Sequence, residues 1–369
     1  MKKLWLTSVV LAAGLAFSGM AQAQIKLGVA GPITGPNAAF GAQLKNGTQK
    51  AVDDLNAKGG ILGQKIELEV GDDVSKPEQG QNVANKFVGD GVTLVVGHFN
   101  SGVTIPASTI YDKGGVLFIT PSATNPQVTE RGLWNAFRTC GRDDQQGKLW
   151  ADYVVANFKD KKVAILHDKT TYGQGLAEAA KGFLDAAGYK YVMFEGINPG
   201  EKDYSAVVTK IKAAGADVLL WGGLHTEGGL LIKQMRDQGM STVMMSGDGI
   251  TSDEFATIGG EGVIGTLMSF GPDPMKNPAA AEIVKEFTDF KPEAYTLYSY
   301  AAVQIFAQAA EEAKSVEPEK MAEVMHSGKV FKTVLGDISY DKKGDRTNVD
   351  YVMYTWKKGD DGKITYVQN

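Results

Sequence analysis

Read for chemistry, the chain offers hydroxyls, backbone amides and one acid, each placed just after a short apolar run. Gly97-His98-Phe99-Asn100-Ser101-Gly102 ends one such run and precedes a helical period. A turn of that kind aims N–H groups and a hydroxyl at whatever lies above it, which suits a carboxylate. Thr120-Pro121-Ser122-Ala123-Thr124 follows the next run and adds two hydroxyls. Ser101, Ser122 and Thr124 would thus hold an anion by neutral donors. Ser246-Gly247-Asp248-Gly249 closes a later run, and its glycines leave the Asp248 carboxylate accessible. An ammonium group would pair with it through charge-assisted hydrogen bonds. His167-Asp168-Lys169-Thr170-Thr171-Tyr172-Gly173 supplies an aromatic wall, and Gly222-Gly223-Leu224 a further strand-end turn. Taken singly, each segment also looks like ordinary Ser, Thr or Asp capping of a turn. Together they place donors for a carboxylate in one half of the chain and an acceptor for an amine in the other.

Catalytic patterns are missing from the sequence. It contains no Gly-x-Ser-x-Gly elbow, Walker loop, His-Glu-x-x-His or strand-following Gly-x-Gly-x-x-Gly. No serine comes with a base oriented by a third group, so an enzyme is not expected, nor a cofactor or metal. His98 and His167 close apolar runs and His225 soon follows one. They are expected to be hydrogen-bonded residues rather than ligands or bases, and His326 is expected to be solvated. Cys140 stands alone, which excludes an internal disulfide, and reads as a small buried hydrophobe.

The elements that must position these groups alternate. Strands are predicted at Ile25–Ala30, Ile66–Val70, Val92–Gly97 and Val116–Thr120, with helices at Phe40–Lys58, from a Ser75–Glu78 capping box to Val88, and at Thr104–Lys113. The rhythm restarts after Gly141 with a helix at Asp143–Phe158 and strands at Val163–His167, Tyr191–Glu195, Val218–Trp221, Val243–Ser246 and Gly265–Phe270. Helices at Gly175–Ala187, Tyr204–Ala214 and Thr226–Gln238 fall between them. Gly271-Pro272-Asp273-Pro274 breaks the pattern. Helices at Ala279–Phe290 and Leu297–Ala313 follow, then strands at Ile338–Tyr340, Val352–Trp356 and Ile364–Val367. This is the βαβ rhythm of mostly parallel sheets with helices on both faces, here in two halves. A bilobed α/β molecule places its ligand between the lobes, at the carboxyl ends of the strands.

The N-terminus reads as a leader. Lys2 and Lys3 precede an apolar run from Leu4 to Phe17, and Ala21-Gln22-Ala23 gives a small-x-small cleavage pattern, so 1–23 is expected to be removed. The run is shorter than the roughly 20 residues that span hydrocarbon. With 43% apolar residues and a formal charge of −5, the chain has the composition of a soluble globular protein with no basic stripe for nucleic acid.

At these residues the sequence resembles the periplasmic branched-chain amino acid (leucine/isoleucine/valine)-binding proteins. The carrying segments are Gly31-Pro32-Ile33-Thr34-Gly35-Pro36, Asn56-Ala57-Lys58-Gly59-Gly60, Asp72-Asp73, Gly97-His98, Ile119-Thr120-Pro121, His167-Asp168-Lys169 with Tyr172-Gly173, and Gly222-Gly223. The resemblance implies a type I fold with three hinge crossovers, near Thr139–Arg142, Phe270–Asp273 and Arg346–Asp350. It divides the chain into 24–141 plus 272–348 and 142–271 plus 349–369. It implies a monomeric periplasmic component of an ABC importer that hands a small amino acid to membrane permease subunits; a sensing protein of the same fold is the alternative. By the same analogy Ser101 and Thr124 hold the α-carboxylate with backbone groups near Ser122, and Asp248 takes the α-ammonium. Phe40, Phe99, Asn100, Tyr172, Leu224 and Tyr295 line the side-chain pocket. Three positions depart from the best-known members: Asp248 for Glu, Leu224 for Tyr, and Ser75 with Asn100 where those have a disulfide. The zwitterion site is kept while the side-chain pocket has changed.

Overall fold

The computed structural model describes residues 24–348 and 351–369. The expected leader and its cleavage point (1–23), and 349–350 in the third expected crossover, lie outside the described residues. The chain opens with β1 (Ile25–Gly31), α1 (Ala38–Ala57), β2 (Ile66–Asp72), α2 (Pro77–Asp90), β3 (Leu94–Val96), α3 (Ser101–Lys113), β4 (Leu117–Thr120), α4 (Gln127–Glu130) and β5 (Ala136–Arg138). These strands form one five-stranded, wholly parallel sheet in the order β2-β1-β3-β4-β5, in register from Ile25 opposite Ile66 and Leu27 opposite Leu94.

The second half holds α5 (Asp143–Asn157), β6 (Val163–His167), α6 (Thr171–Ala186), β7 (Met193–Gly196), α7 (Ser205–Ala214), β8 (Val218–Gly222), α8 (His225–Asp237), β9 (Val243–Ser246), α9 (Asp253–Gly259) and β10 (Leu267–Phe270). The chain then gives α10 (Ala281–Lys285), α11 (Ala294–Ala313), α12 (Pro318–His326), β11 (Phe331–Thr333), β12 (Gly336–Ile338), β13 (Val352–Lys358) and β14 (Ile364–Gln368). The second sheet runs β14-β13-β10-β9-β8-β6-β7, with β13 antiparallel to both β10 and β14. β3, β4, β6 and β8 are apolar runs, with Thr120 and His167 the polar residues at the ends of β4 and β6, and every residue is buried, as parallel strands covered on both faces must be. The edge strand β2 alternates instead.

The late helix α11 belongs to the first sheet's core. It is buried almost all round because α1 lies on one side and β3 and β4 on the other. Gly47 makes the α1–α11 approach possible: a Cβ there would sit 2.0 Å from the Thr296 carbonyl oxygen. The chain passes between the sheets after β5, after β10 and before β13. Asp345 pins the first and third of these passages. Its oxygens lie 2.7 Å from Arg138 Nε and 2.6 Å from Arg142 Nη1, and both accept from the Thr129 hydroxyl.

Several expected boundaries move. The stretch 279–290 holds only the end of a 3-10 turn (Pro278–Ala280) and the five-residue α10, because Pro278 starts the chain afresh just before it and little of it is buried. The capping box at Ser75 does not form. Lys76 is the N-cap of α2, while Ser75 has left-handed backbone (φ 58°) and its hydroxyl accepts from Asn37. The helix expected from Gly175 starts earlier, at Thr171, where the Thr170 hydroxyl accepts from the Gly173 N–H. His326 is not simply solvated: it packs 4.5 Å from the Phe137 ring and its Nε2 lies 3.0 Å from the Trp134 carbonyl.

Candidate functional site

The strand-end turns of both halves meet in one place. A cavity of about 230 Å³ lies between the lobes, lined by Ser101, Ser122, Phe99, Asn100, Tyr172, Leu224, Asp248 and Tyr295, with Ser75 and Thr171 among the residues at its edge. The lobes are closed over it: Ser101, Ser122, Tyr172, Leu224, Asp248 and Tyr295 are all buried. Asn125 Nδ2 reaches across to the Thr171 carbonyl at 3.0 Å, and the Phe40 ring meets that of His225 edge-on at 5.0 Å. Two of the ten expected residues do not line the cavity. Phe40 stands behind the wall, stacked on Phe99 at 4.3 Å, and Thr124 is wholly buried beside it.

The donor wall comes from α3 and the loop after β4. Ser101 is the first residue of α3, so its N–H and that of Gly102 have no partner within the helix. Ser101 Oγ accepts from the Asn125 N–H at 3.2 Å, which leaves its own proton free to donate. Ser122 differs: its hydroxyl donates to the Phe99 carbonyl at 3.1 Å, tying the two loops together. The Thr124 hydroxyl is buried and has no hydrogen-bond partner.

This wall is braced from behind by a network outside the expected set. His98, fully buried, places Nδ1 2.7 Å from Asp73 and Nε2 2.9 Å from the Tyr111 hydroxyl, and its carbonyl accepts from Thr120. Arg138, also fully buried, donates to the carbonyls of Ala123 and Asn125, fixing the loop that carries Ser122 and Thr124. Sequence could flag His98 as a strand-end histidine, but no local signal marks Arg138. Cys140 is buried, and burial pushes its thiol up to about 12, which makes it an inert packing group.

The acceptor wall is Asp248, which opens a 3-10 turn after β9 rather than capping a helix. It is only 2% exposed, and burial pushes its carboxyl up to about 6. Oδ1 accepts from the Tyr172 hydroxyl at 2.9 Å, while Oδ2 has no partner. The same phenol oxygen accepts from the Gly249 N–H at 2.9 Å. Gly247 and Gly249 permit this contact, since a Cβ at either would come within 2.8 and 2.9 Å of the Tyr172 side chain. Tyr295 closes the apolar side, edge-on to Phe99 at 5.6 Å. His225, expected as a hydrogen-bonded residue, pairs with Glu254 at 2.9 Å.

The comparisons agree with this architecture. The family described as periplasmic binding protein matches residues 24–363. The chain belongs to that family. It is 56% identical over 370 residues to the Leu/Ile/Val-binding protein homolog 1 of Brucella suis, covering 100% of both chains. It is 50% identical to an amino acid binding protein of Pseudomonas aeruginosa, over 96% of this chain and 97% of that one. Among solved structures it is similar to a leucine binding protein of Thermotoga maritima (TM-score 0.85, 27% identity, 93% and 97% covered). It is also similar to the branched-chain amino acid transporter substrate binding protein of Streptococcus pneumoniae in complex with isoleucine (TM-score 0.82, 28%, 94% and 100%). The type I fold expected from the sequence is the fold observed, and the family is one of binding proteins rather than enzymes.

Proposed function

We propose that the chain is the periplasmic substrate-binding component of an ABC importer for amino acids, taking a branched-chain or other small aliphatic one. The carrying observation is a closed cavity between the lobes with unpaired donors on one wall and a partnerless carboxylate oxygen, Asp248 Oδ2, on the other. The α-carboxylate meets Ser101, Thr124 and the first amides of α3; the α-ammonium meets Asp248. Phe99, Leu224, Tyr172 and Tyr295, with Phe40 behind and Asn100 at the edge, surround the side chain. Only the closed form contacts the ligand on both sides, so binding shifts the hinge equilibrium toward closure and presents a shape that permease subunits recognise.

The same reading divides the lobes at 24–141 plus 272–348 and 142–271 plus 349–369, and places leader cleavage after Ala23. Isothermal titration of stripped protein against the twenty standard amino acids tests it. Submicromolar to micromolar heat with an aliphatic member is expected; heat from none of them rejects the assignment.

A further inference from the structure

A second acid stands near Asp248, outside every contact assigned so far. Asp143 is the first residue of α5 and 1% exposed, and neither of its carboxyl oxygens has a hydrogen-bond partner. A buried carboxyl left so is costly unless something completes it. Its backbone N–H is held by the Thr124 carbonyl at 2.9 Å, and its carboxyl faces the partnerless Thr124 hydroxyl. Asp248 is close enough for the two charges to repel, and Tyr172 senses both. Gln146, one turn further along α5, likewise has a buried amide nitrogen without a partner. Three carboxylate oxygens and a hydroxyl oxygen are thus left without a donor in one buried patch, more acceptors than the Gln146 amide can serve. A primary ammonium, with its charge and three donors, is the chemistry that fits.

We propose that Asp143 is a positioning residue for the cationic group of the ligand, acting through Thr124. This rests on the amino acid reading above and divides Thr124 between the two ends of the ligand. A hydroxyl has one proton. Given to Asp143, it leaves the Thr124 oxygen facing the ligand as an acceptor, so the ammonium sits between Asp248 Oδ2 and Thr124 Oγ1. The main-chain N–H of Thr124 remains for the carboxylate. The pair Asp143 and Asp248 then carries both of its charges only when the cation is present. The groups facing Asp143 are Asp248 after β9, Arg138 on β5, Asp144 on α5, Tyr172 on α6, Cys140 in the first passage and Tyr351 before β13. Arg138 is engaged by Asp345 and by loop carbonyls, which leaves the ligand to neutralise the pair.

The test is Asp143→Asn, with the tightest-binding standard amino acid as probe, by titration calorimetry from pH 4.5 to 7.5 and by thermal melting without ligand. The variant is expected to bind about 10- to 100-fold more weakly at pH 7, the size of a hydrogen bond to a charged group. Its ligand-free melting temperature should be unchanged or higher, because an uncompensated buried acid is gone. The fall of log affinity with decreasing pH should be shallower than in wild type by up to one proton. A melting temperature and an affinity that drop together, with an unaltered pH slope, would show a merely structural acid and overturn the inference. Wild type binding no amino acid overturns the functional reading itself, and this inference with it.

Discussion

Replacing Asp248 by Asn tests the acceptor wall with the least disturbance. The side chains have nearly the same shape, so the amide oxygen still accepts from the Tyr172 hydroxyl, which Asp248 Oδ1 now does at 2.9 Å. What disappears is the negative charge offered at Oδ2. A hydrogen bond to a charged partner contributes about 1.5–3 kcal/mol, so Kd should rise about 10- to 150-fold at pH 7. The pH dependence carries a sign. The carboxyl is pushed up to about 6, so it is ionised above that pH and protonated below it. A cationic ligand needs the ionised form; affinity is therefore full above pH 6 and declines as the pH falls through it. Asp248→Asn should remove about one proton from that slope. The assay is calorimetric titration with L-leucine at pH 5, 6 and 7.5, with thermal melting to confirm folding. A folded variant that keeps both wild-type affinity and wild-type slope would refute the assignment of the amine to this wall.

Other perturbations read other parts of the molecule. Asp345→Ala strips the fully buried Arg138 of its carboxylate partner and should lower unfolding free energy by about 3–5 kcal/mol in urea titration; a change below about 1 kcal/mol would mean that Asp345 does not pin the passages. Gly47→Ala pushes a methyl against the Thr296 carbonyl and should cost about 1–3 kcal/mol by the same measurement, with no loss if α1 and α11 separate freely. Glu293, which accepts from the Asp253 N–H across the cleft, is pushed up to about 7 by burial and the nearby Asp253 charge. The closed form thus favours its protonated state, so closure is opposed progressively as pH rises from the ordinary carboxyl range towards 7, with the full penalty above that. Glu293→Gln should bind ligand more tightly than wild type at pH 8, with the advantage shrinking steadily as the pH is lowered through 6 towards 4.5; identical profiles would show that Glu293 does not sense closure.

What the sequence made legible was the part governed by periodicity. Continuous apolar runs such as Val163–His167 and Val218–Gly222 could only be strands covered on both faces, and they are. The strand-end turns could be located because the chain must turn there, and the cavity gathers Ser101, Ser122, Tyr172 and Asp248 from four of them. Long-range geometry was not legible. That Ser122 donates to Phe99, that Thr124 sits behind the wall and that Asp143 is buried unpaired all depend on atoms far apart in the chain. The helix expected over 279–290 shrinks to α10 because its apolar spacing, set between Pro278 and Pro292, meets little that could bury it. Nor does local sequence reveal the surroundings of His326, whose partners Trp134 and Phe137 come from some 190 residues earlier.

The two cores interleave along the chain: α11 completes the first sheet's packing on α1, and β13 and β14 extend the second sheet past β10. A nascent polypeptide emerging N-terminus first therefore cannot finish either half until its last segments are out. Up to then it remains loose and threadable, the state a secretion pore requires, and truncation near the carboxyl end unbuilds the half that was begun in the middle.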